Sequence, residues 1–398
     1  MTRTEPGQVV PDAILRRRLA TPYAIDTLVE SATETYTLVG RKSVLAQIQI
    51  EMAYDEPSGN MRLNFNHDIH TVNLEGKPVT PIRSVIVFTA TSKMSCPSFS
   101  LPAGPIREGG TCMASGFEAS TMVRPSRGDR PGGSRQDPRG NHFVCDLCYA
   151  TAGNYFYPNV AIAQAARMAW CQRLLEVDPT GTSLGIQLAN AIETTARKAH
   201  YDDLSERLGH ELGVWSNRQI WVQGKIKGRK GTQNISVEPT KLPARTGFSN
   251  TNAYFESKNP PEGTVVGFFR IHDSGDLNVG PKEAMWLGYL NAWAHVARTL
   301  PYVQFWVPVR TWTAPKMARA LELANQIPNF VIRASPLFVN GTVPESVKLP
   351  RSGVHRKGTL QTGHMPCPVT PLDKSSCAEE GCRACWIDRT LIPSYVEH

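Results

Sequence analysis

Thr264-Val-Val-Gly-Phe-Phe-Arg-Ile271, running directly into His272-Asp273-Ser274-Gly275-Asp276-Leu277, is the stretch whose reading decides the fold. A short, nearly continuous apolar run is the pattern of a strand buried on both faces, as strands of parallel sheets are. The residues downstream repeat the theme. A helix is predicted over 281–300 with Pro281 at its start, a strand over 303–309, a helix over 315–326 with Pro315 at its start, and a strand over 330–334. Strand and helix alternating at such short spacing imply parallel pairing through right-handed crossovers, hence an α/β fold. A complete or partial (β/α) barrel is the most economical closure.

In such a fold the loops after the C-terminal ends of the strands carry the chemistry. That is where His272, Asp273 and Asp276 fall, with Gly275 allowing a sharp turn. Two carboxylates held close raise the pKa of one of them, which prepares a general acid, base or nucleophile. The same residues also suit an Asx turn that caps Ser274 and the next helix. The next strand ends at Trp306, Arg310 and Trp312, and the one after it at Arg333 and Ser335. An arginine flanked by aromatics suits a phosphate, a carboxylate or a flat base. The plainer alternative is that the tryptophans are core and Arg310 snorkels to solvent.

Eight of the nine cysteines fall in two sets, Cys96, Cys112, Cys145 and Cys148, then Cys367, Cys377, Cys382 and Cys385. Each set ends in Cys-x2-Cys, a spacing that lets one short loop offer two thiolates to one metal or iron–sulfur cluster. Cys171 lies in a helical pattern and reads as a small buried apolar residue. The chain of 398 residues is too long for a small disulfide-stapled secreted domain. Its first thirty residues hold no apolar stretch suited to a signal peptide or membrane anchor, so a cytoplasmic location is expected, where thiols stay reduced.

The formal charge is +8. Basic clusters at Arg16, Arg17 and Arg18, at Lys225, Lys227, Arg229 and Lys230, and at Arg124, Arg127, Arg130, Arg135 and Arg139 suit a DNA or RNA partner as well as a merely solvated surface. Residues 1–80 read as an N-terminal cap or edge sheet, with an alternating strand over 43–52. Residues 81–350 read as the barrel-like catalytic domain, beginning with a buried strand over 84–90 after which Cys96 follows. Residues 104–141, rich in Gly, Pro, Arg and Ser, read as a flexible insertion whose closure brings Cys96 back to Cys145 and Cys148. A helix is predicted over 160–177 and another from Ser183. Residues 351–398 form a Cys-rich, metal-binding tail.

Ser92 to Ala103, Cys145-x2-Cys148-Tyr149-Ala150, Arg270 to Asp276, Trp306-x3-Arg310 and Cys377-x4-Cys382-x2-Cys385-Trp386 resemble, in combination, the phage "gene product 88" family over roughly residues 84–398. The resemblance implies a phage or prophage origin and a location in the host cytoplasm, and it brings no chemistry with it.

A looser likeness concerns a cysteine cluster after the first barrel strand, an Asp-containing motif after a middle strand and an Arg-bearing strand next. These are similar to radical S-adenosylmethionine enzymes. That resemblance implies a [4Fe–4S] cluster on Cys96, Cys145 and Cys148, with S-adenosylmethionine on its open iron, and an auxiliary cluster or zinc on the C-terminal four cysteines.

His-Asp-Ser-Gly-Asp-Leu is similar in part to the Asp-Ser-Gly-Gly-Phe motif of guanine transglycosylases that insert 7-deazaguanine bases in tRNA or DNA. This implies Asp273 as acid/base or nucleophile, and zinc on Cys377, Cys382, Cys385 and His398. The sequence reading thus favours a metal-bearing barrel enzyme acting on a nucleic-acid base or nucleotide, radical chemistry ahead of base exchange. A non-catalytic nucleic-acid-binding protein stapled by metal is the remaining alternative.

Overall fold

The structure is a computed structural model that describes residues 26–30, 36–40, 49–55, 60–71, 81–90, 96–104, 106, 110–116, 135–148, 150, 158–193, 222–228, 231–237, 267–280, 282–301, 303–369, 382 and 384–396. Arg16 to Arg18, Arg124, Arg127, Arg130, Arg229, Lys230, Cys377 and His398 lie outside them, as does most of the expected strand over 43–52.

The N-terminal part is a five-stranded sheet. Strands β1 (Asp26–Glu30), β2 (Tyr36–Gly40) and β3 (Ile50–Asp55) assemble around the long β4 (Asn60–Thr71), to which β5 (Ile82–Ile86) also pairs. Residues 84–90 do not form the single buried strand expected. They divide between β5, antiparallel to β4, and β6 (Thr89–Ala90), antiparallel to β7 (Pro97–Ser98). Arg83, Ile86 and Thr89 are exposed while Val85, Val87 and Phe88 are buried, so the run has one wet face, as antiparallel sheets do.

Helix α1 (Pro158–Val177) and a second helix α2 (182–193) follow, as expected. Arg167 on α1, 2% exposed, donates to the carbonyls of Ile86 (2.8 Å) and Ser100 (3.1 Å) and so pins the helix to β5 and to the end of β7. Cys171 on the same helix is fully buried. A hairpin, β8 (Val222–Gly228) and β9 (Gly231–Val237), carries Lys225 and Lys227.

The centre is the predicted alternation. Strand β10 (Gly267–Arg270), helix α3 (Glu283–Thr299), strand β11 (Val303–Val309), helix α4 (Pro315–Ala324) and strand β12 (Phe330–Ala334) follow in order. Parallel pairing gives the order β12-β11-β10-β7, with β6 antiparallel at the far edge. Pro315 opens α4, where a missing N–H costs nothing, and Met317, Leu321 and Ala324 give the helix one buried stripe. Asn329, buried at the start of β12, donates its side-chain amide to the carbonyls of Ala297, Leu300 and Val303. It thereby fixes the turn between α3 and β11.

Strand alternation sends neighbouring side chains to opposite faces. Phe269 packs at 5.8 Å on Trp293 of α3, whereas Phe268 packs at 5.6 Å on Trp386. Trp386 belongs to a short helix, α5 (Ala384–Ile387). Around it lies a small sheet of β13 (Gly353–His355), β14 (Met365–Pro366) and β15 (Pro393–Val396). The C-terminal segment therefore covers the sheet face that a barrel would enclose. Among the described residues no pairing joins β12 to β6, so the sheet is open and layered between helices: a mixed α/β fold with parallel and antiparallel sheets. No described helix is long and apolar enough to cross a membrane.

Candidate functional site

The loops beyond the C-terminal ends of β7, β10 and β11 interlock. Ser274 donates its hydroxyl to Leu101 O (2.9 Å) and accepts from Gln164 of α1 (2.8 Å), while Leu101 N–H donates to Ser274 O (3.0 Å). Thr111 donates to Pro102 O (2.9 Å) and accepts from Asp276 N–H (2.9 Å). Gly275 has φ +87°, and a Cβ there would stand 2.6 Å from the Thr111 hydroxyl. Only glycine fits this turn, on conformational and steric grounds alike.

Cys112 follows Thr111 directly, and this clasp brings it to Asp276. Cys145 and Cys148 reach the same place from a different loop. Their turn, the 3-10 segment Val144–Leu147, is held by Arg135, which binds Asp146 at 2.7 Å and lies 4.1 Å over the Phe143 ring. Val144 N–H also donates to Leu337 O beyond β12 (2.8 Å). Arg135, 9% exposed, is thus committed to the turn rather than to a phosphate, and residues 135–141, the end of what the sequence reads as a flexible insertion, are part of this turn's support. Arg139 remains exposed.

Cys112, Cys145, Cys148, Asp276 and Arg310 are electrostatic neighbours. Burial pushes the Cys145 thiol up to about 12 and the Cys112 thiol well above its usual value. Cys148 is raised too, first by burial, with Arg310 opposing. Burial works to lower the Arg310 pKa, but the charges of Cys145, Cys148, Asp276 and Cys112 outweigh it. Burial raises Asp276 to about 6 even though its carboxylate accepts from Arg310 N–H (2.9 Å) and Leu277 N–H (2.8 Å). Arg310 donates its Nε to Pro336 O (3.1 Å). Thiols raised in this way stay protonated until a cation takes the proton's place, which is how metal binding couples to thiol ionisation.

Cys96 stands at another level of the sheet from Asp276 and Arg310. It precedes β7 instead of following a parallel strand, because the apolar run before it belongs to antiparallel pairs. Ser98 pairs with Arg270, and Arg270 with Trp306, so Cys96 stands at the level of Phe268. The end of β11 at Val309 is roughly 17 Å further along at the usual strand rise.

The other expected site residues divide by face. His272 is 1% exposed, bonds Tyr289 Oη through Nε2 (3.1 Å), and burial lowers it to about 3. It is a neutral core residue. Asp273, whose charge bears on Cys148, is ion-paired with Arg270, whose guanidinium lies 5.1 Å over the Trp306 ring. Trp306 is core, 5.4 Å from Trp386. Arg333, fully buried, donates to the carbonyls of Cys385, Arg351, Leu391, Ala384 and Asp388. It clamps α5 and cannot reach a substrate. Ser335 bonds Ser352 Oγ (2.9 Å) and accepts the Trp312 indole N–H through its carbonyl (2.9 Å).

The late cysteines form a second group. The Cys385 thiol, raised to about 11 by burial, senses Cys367 and Cys382, and its Sγ lies 3.0 Å from Tyr395 Oη. None of the described cysteines is in a disulfide. Among the described residues no three His, Cys, Asp or Glu side chains are drawn together closely enough to hold a metal ion as they stand. Thr111, Gln164 and Arg135 were not singled out as site residues by the sequence reading. A Ser-Gly turn has no pattern that names the residues packed on it.

Nothing among the curated proteins or the solved structures matches the chain. Residues 248–385, which span β10 to α5 but stop short of the first cysteine set, match the family model Gene product 88, the family these motifs resemble.

Proposed function

We propose that the chain is an enzyme of phage origin, acting in the host cytoplasm, that modifies a nucleic-acid base or nucleotide at the C-terminal edge of its parallel sheet. A cluster on Cys112, Cys145 and Cys148 would be its cofactor. The observation that supports this most is the convergence of three half-buried thiols, from loops more than thirty residues apart in sequence, on Arg310 and Asp276 just past β10 and β11. Apolar packing gives no reason for such a meeting. In identity and number the donors suit an iron–sulfur cluster with one iron left open, of the radical S-adenosylmethionine kind. When bound, that cluster would supply one-electron chemistry.

The chain's own residues do the rest. Arg310 places a positive charge against the thiols, and Asp276 fixes the Arg310 backbone. Asp273, held by Arg270 and bearing on Cys148, is the candidate for proton transfer. The open parallel sheet, with the C-terminal segment over one face, would serve this chemistry as a partial (β/α) barrel does. The base-exchange reading depends on Asp273 as a nucleophile and gives the early cysteines no role, so the thiol convergence favours the radical reading. DNA or RNA would approach through the exposed Arg139 side and the hairpin of Lys225 and Lys227.

Anaerobic reconstitution with iron and sulfide, then incubation with S-adenosylmethionine and dithionite, tests this. Formation of 5′-deoxyadenosine is the expected result. A fully loaded protein that forms none contradicts the radical reading, and a covalent nucleic-acid adduct lost in Asp273→Asn would put base exchange in its place.

A further inference from the structure

The strap that leaves β12 ties the site to a basic loop. Pro336 O accepts from Arg310 Nε (3.1 Å), and Leu337 O accepts from Val144 N–H, one residue before Cys145 (2.8 Å). Phe338 pairs with Phe143, their rings 5.5 Å apart, and Val339 N–H donates to His142 O (2.9 Å). Asn340 then turns the chain, donating its N–H to Val354 O of β13 (2.7 Å). The four steps from Pro336 to Asn340 span at most about 14 Å, so what Asn340 holds stands near Arg310.

It holds the loop 356–363. Among the described residues Asn340 is the single non-glycine with a positive φ, 58°. Glycine would take that conformation at less cost but would lack the side chain. Asn340 Oδ1 accepts from Arg356 N–H (3.4 Å) and from the Thr359 hydroxyl (3.0 Å), and its carbonyl accepts from the Gln361 amide. Two tight turns follow, closed by Thr359 N–H on Arg356 O (2.9 Å) and His364 N–H on Gln361 O (3.1 Å), with left-handed glycines at Gly358 and Gly363. The loop is thus anchored at its base while Lys357 to Leu360 are exposed.

Its charge has one sign. Between Glu345 and Asp373 the sequence holds Lys348, Arg351, Arg356 and Lys357 and no Asp or Glu. Across the strap, held through His142, is the turn that exposes Arg139, with Asp137 in the same turn. Leu360 at the tip is 40% exposed, an apolar side chain of the kind that proteins press between bases. Apolar packing gives no reason to anchor a cationic loop in solvent beside the site.

We infer that the loop 356–363 is the contact for the phosphate backbone of a single nucleic-acid strand whose base enters the site at Arg310. The inference rests on the reading of that site as one for a nucleic-acid base. A base drawn out of its stack leaves its flanking phosphates outside the pocket. The strap's reach of about 14 Å corresponds to about four phosphates along one strand, so Lys357 meets the backbone a few nucleotides from the reacting base.

Fluorescence anisotropy of labelled single-stranded DNA and RNA oligonucleotides, titrated with the unloaded full chain over a range of salt, tests it. Lys357→Ala should weaken binding to every sequence alike and lower the slope of log affinity against log salt by about 0.7, the value of one phosphate contact. Asn340→Gly keeps the turn but frees the loop, and it should fold and bind more weakly than the wild type. A Lys357→Ala chain with wild-type affinity and slope overturns the inference. So does an Asn340→Gly chain that binds as the wild type does, or a wild type that binds neither oligonucleotide at low salt. Binding is read without the cluster, so the two readings separate. Weakened binding in both variants without 5′-deoxyadenosine in the loaded wild type refutes the chemistry and keeps the contact; unchanged binding beside full turnover does the reverse.

Discussion

The two cysteine groups carry the same Cys-x2-Cys spacing, yet each sits beside an arginine used in an opposite way. Arg310 gives one N–H to Pro336 O, and its charge bears on three thiols and a carboxylate at the open edge of the sheet. Arg333 spends its whole guanidinium on backbone carbonyls beneath a covering helix. The spacing suggests a ligand pair. The neighbouring cation and its exposure say whether the pair serves chemistry or holds the chain together.

If that contrast is right, the largest loss of function comes from the first group and the largest loss of stability from the second. Cys145→Ala/Cys148→Ala should abolish turnover and visible cluster absorbance while leaving thermal unfolding near that of the unloaded wild type; full activity in the double variant breaks the contrast. Arg333→Met should cost roughly 3 kcal/mol or more in chemical denaturation, since each buried carbonyl stranded without a donor costs roughly 1–3 kcal/mol. A near-neutral result would show that α5 is held by Trp386 alone.

Asp273→Asn should fold and load iron normally yet lose turnover by about a hundredfold, the scale for a missing acid or base. An unchanged rate would make Asp273 a partner of Arg270 and nothing more. The smallest effect expected is at Thr111. Thr111→Val removes the acceptor for Asp276 N–H and should cost about 1 kcal/mol. It should also speed alkylation of Cys112 in the unloaded protein, and Thr111→Ser should restore both.

The alternation from β10 to β12 was legible because each element is local: apolar strands, and Pro281 and Pro315 marking where helices begin. That His272 to Asp276 follow the end of a parallel strand was legible for the same reason. The face of each side chain was not. Trp306 and Arg333 read as lining a barrel mouth, but a segment arriving some fifty residues later covers that face, and no local pattern records it. The run from Ser84 was taken for a parallel strand because it is apolar. Exposed Ile86 between buried Val85 and Val87 fits a strand with one wet face, as β5 is in its antiparallel pair, and misreading it put Cys96 on the wrong end of β7.

The substitution of Cys112 for Cys96 in the first group is the central claim, and iron and acid-labile sulfide in two single variants reconstituted side by side test it most directly. Cys112→Ala should fall well short of about four irons per chain, with the visible band lost, while Cys96→Ala keeps both. A Cys96→Ala chain without its cluster, beside a fully loaded Cys112→Ala chain, would contradict the account.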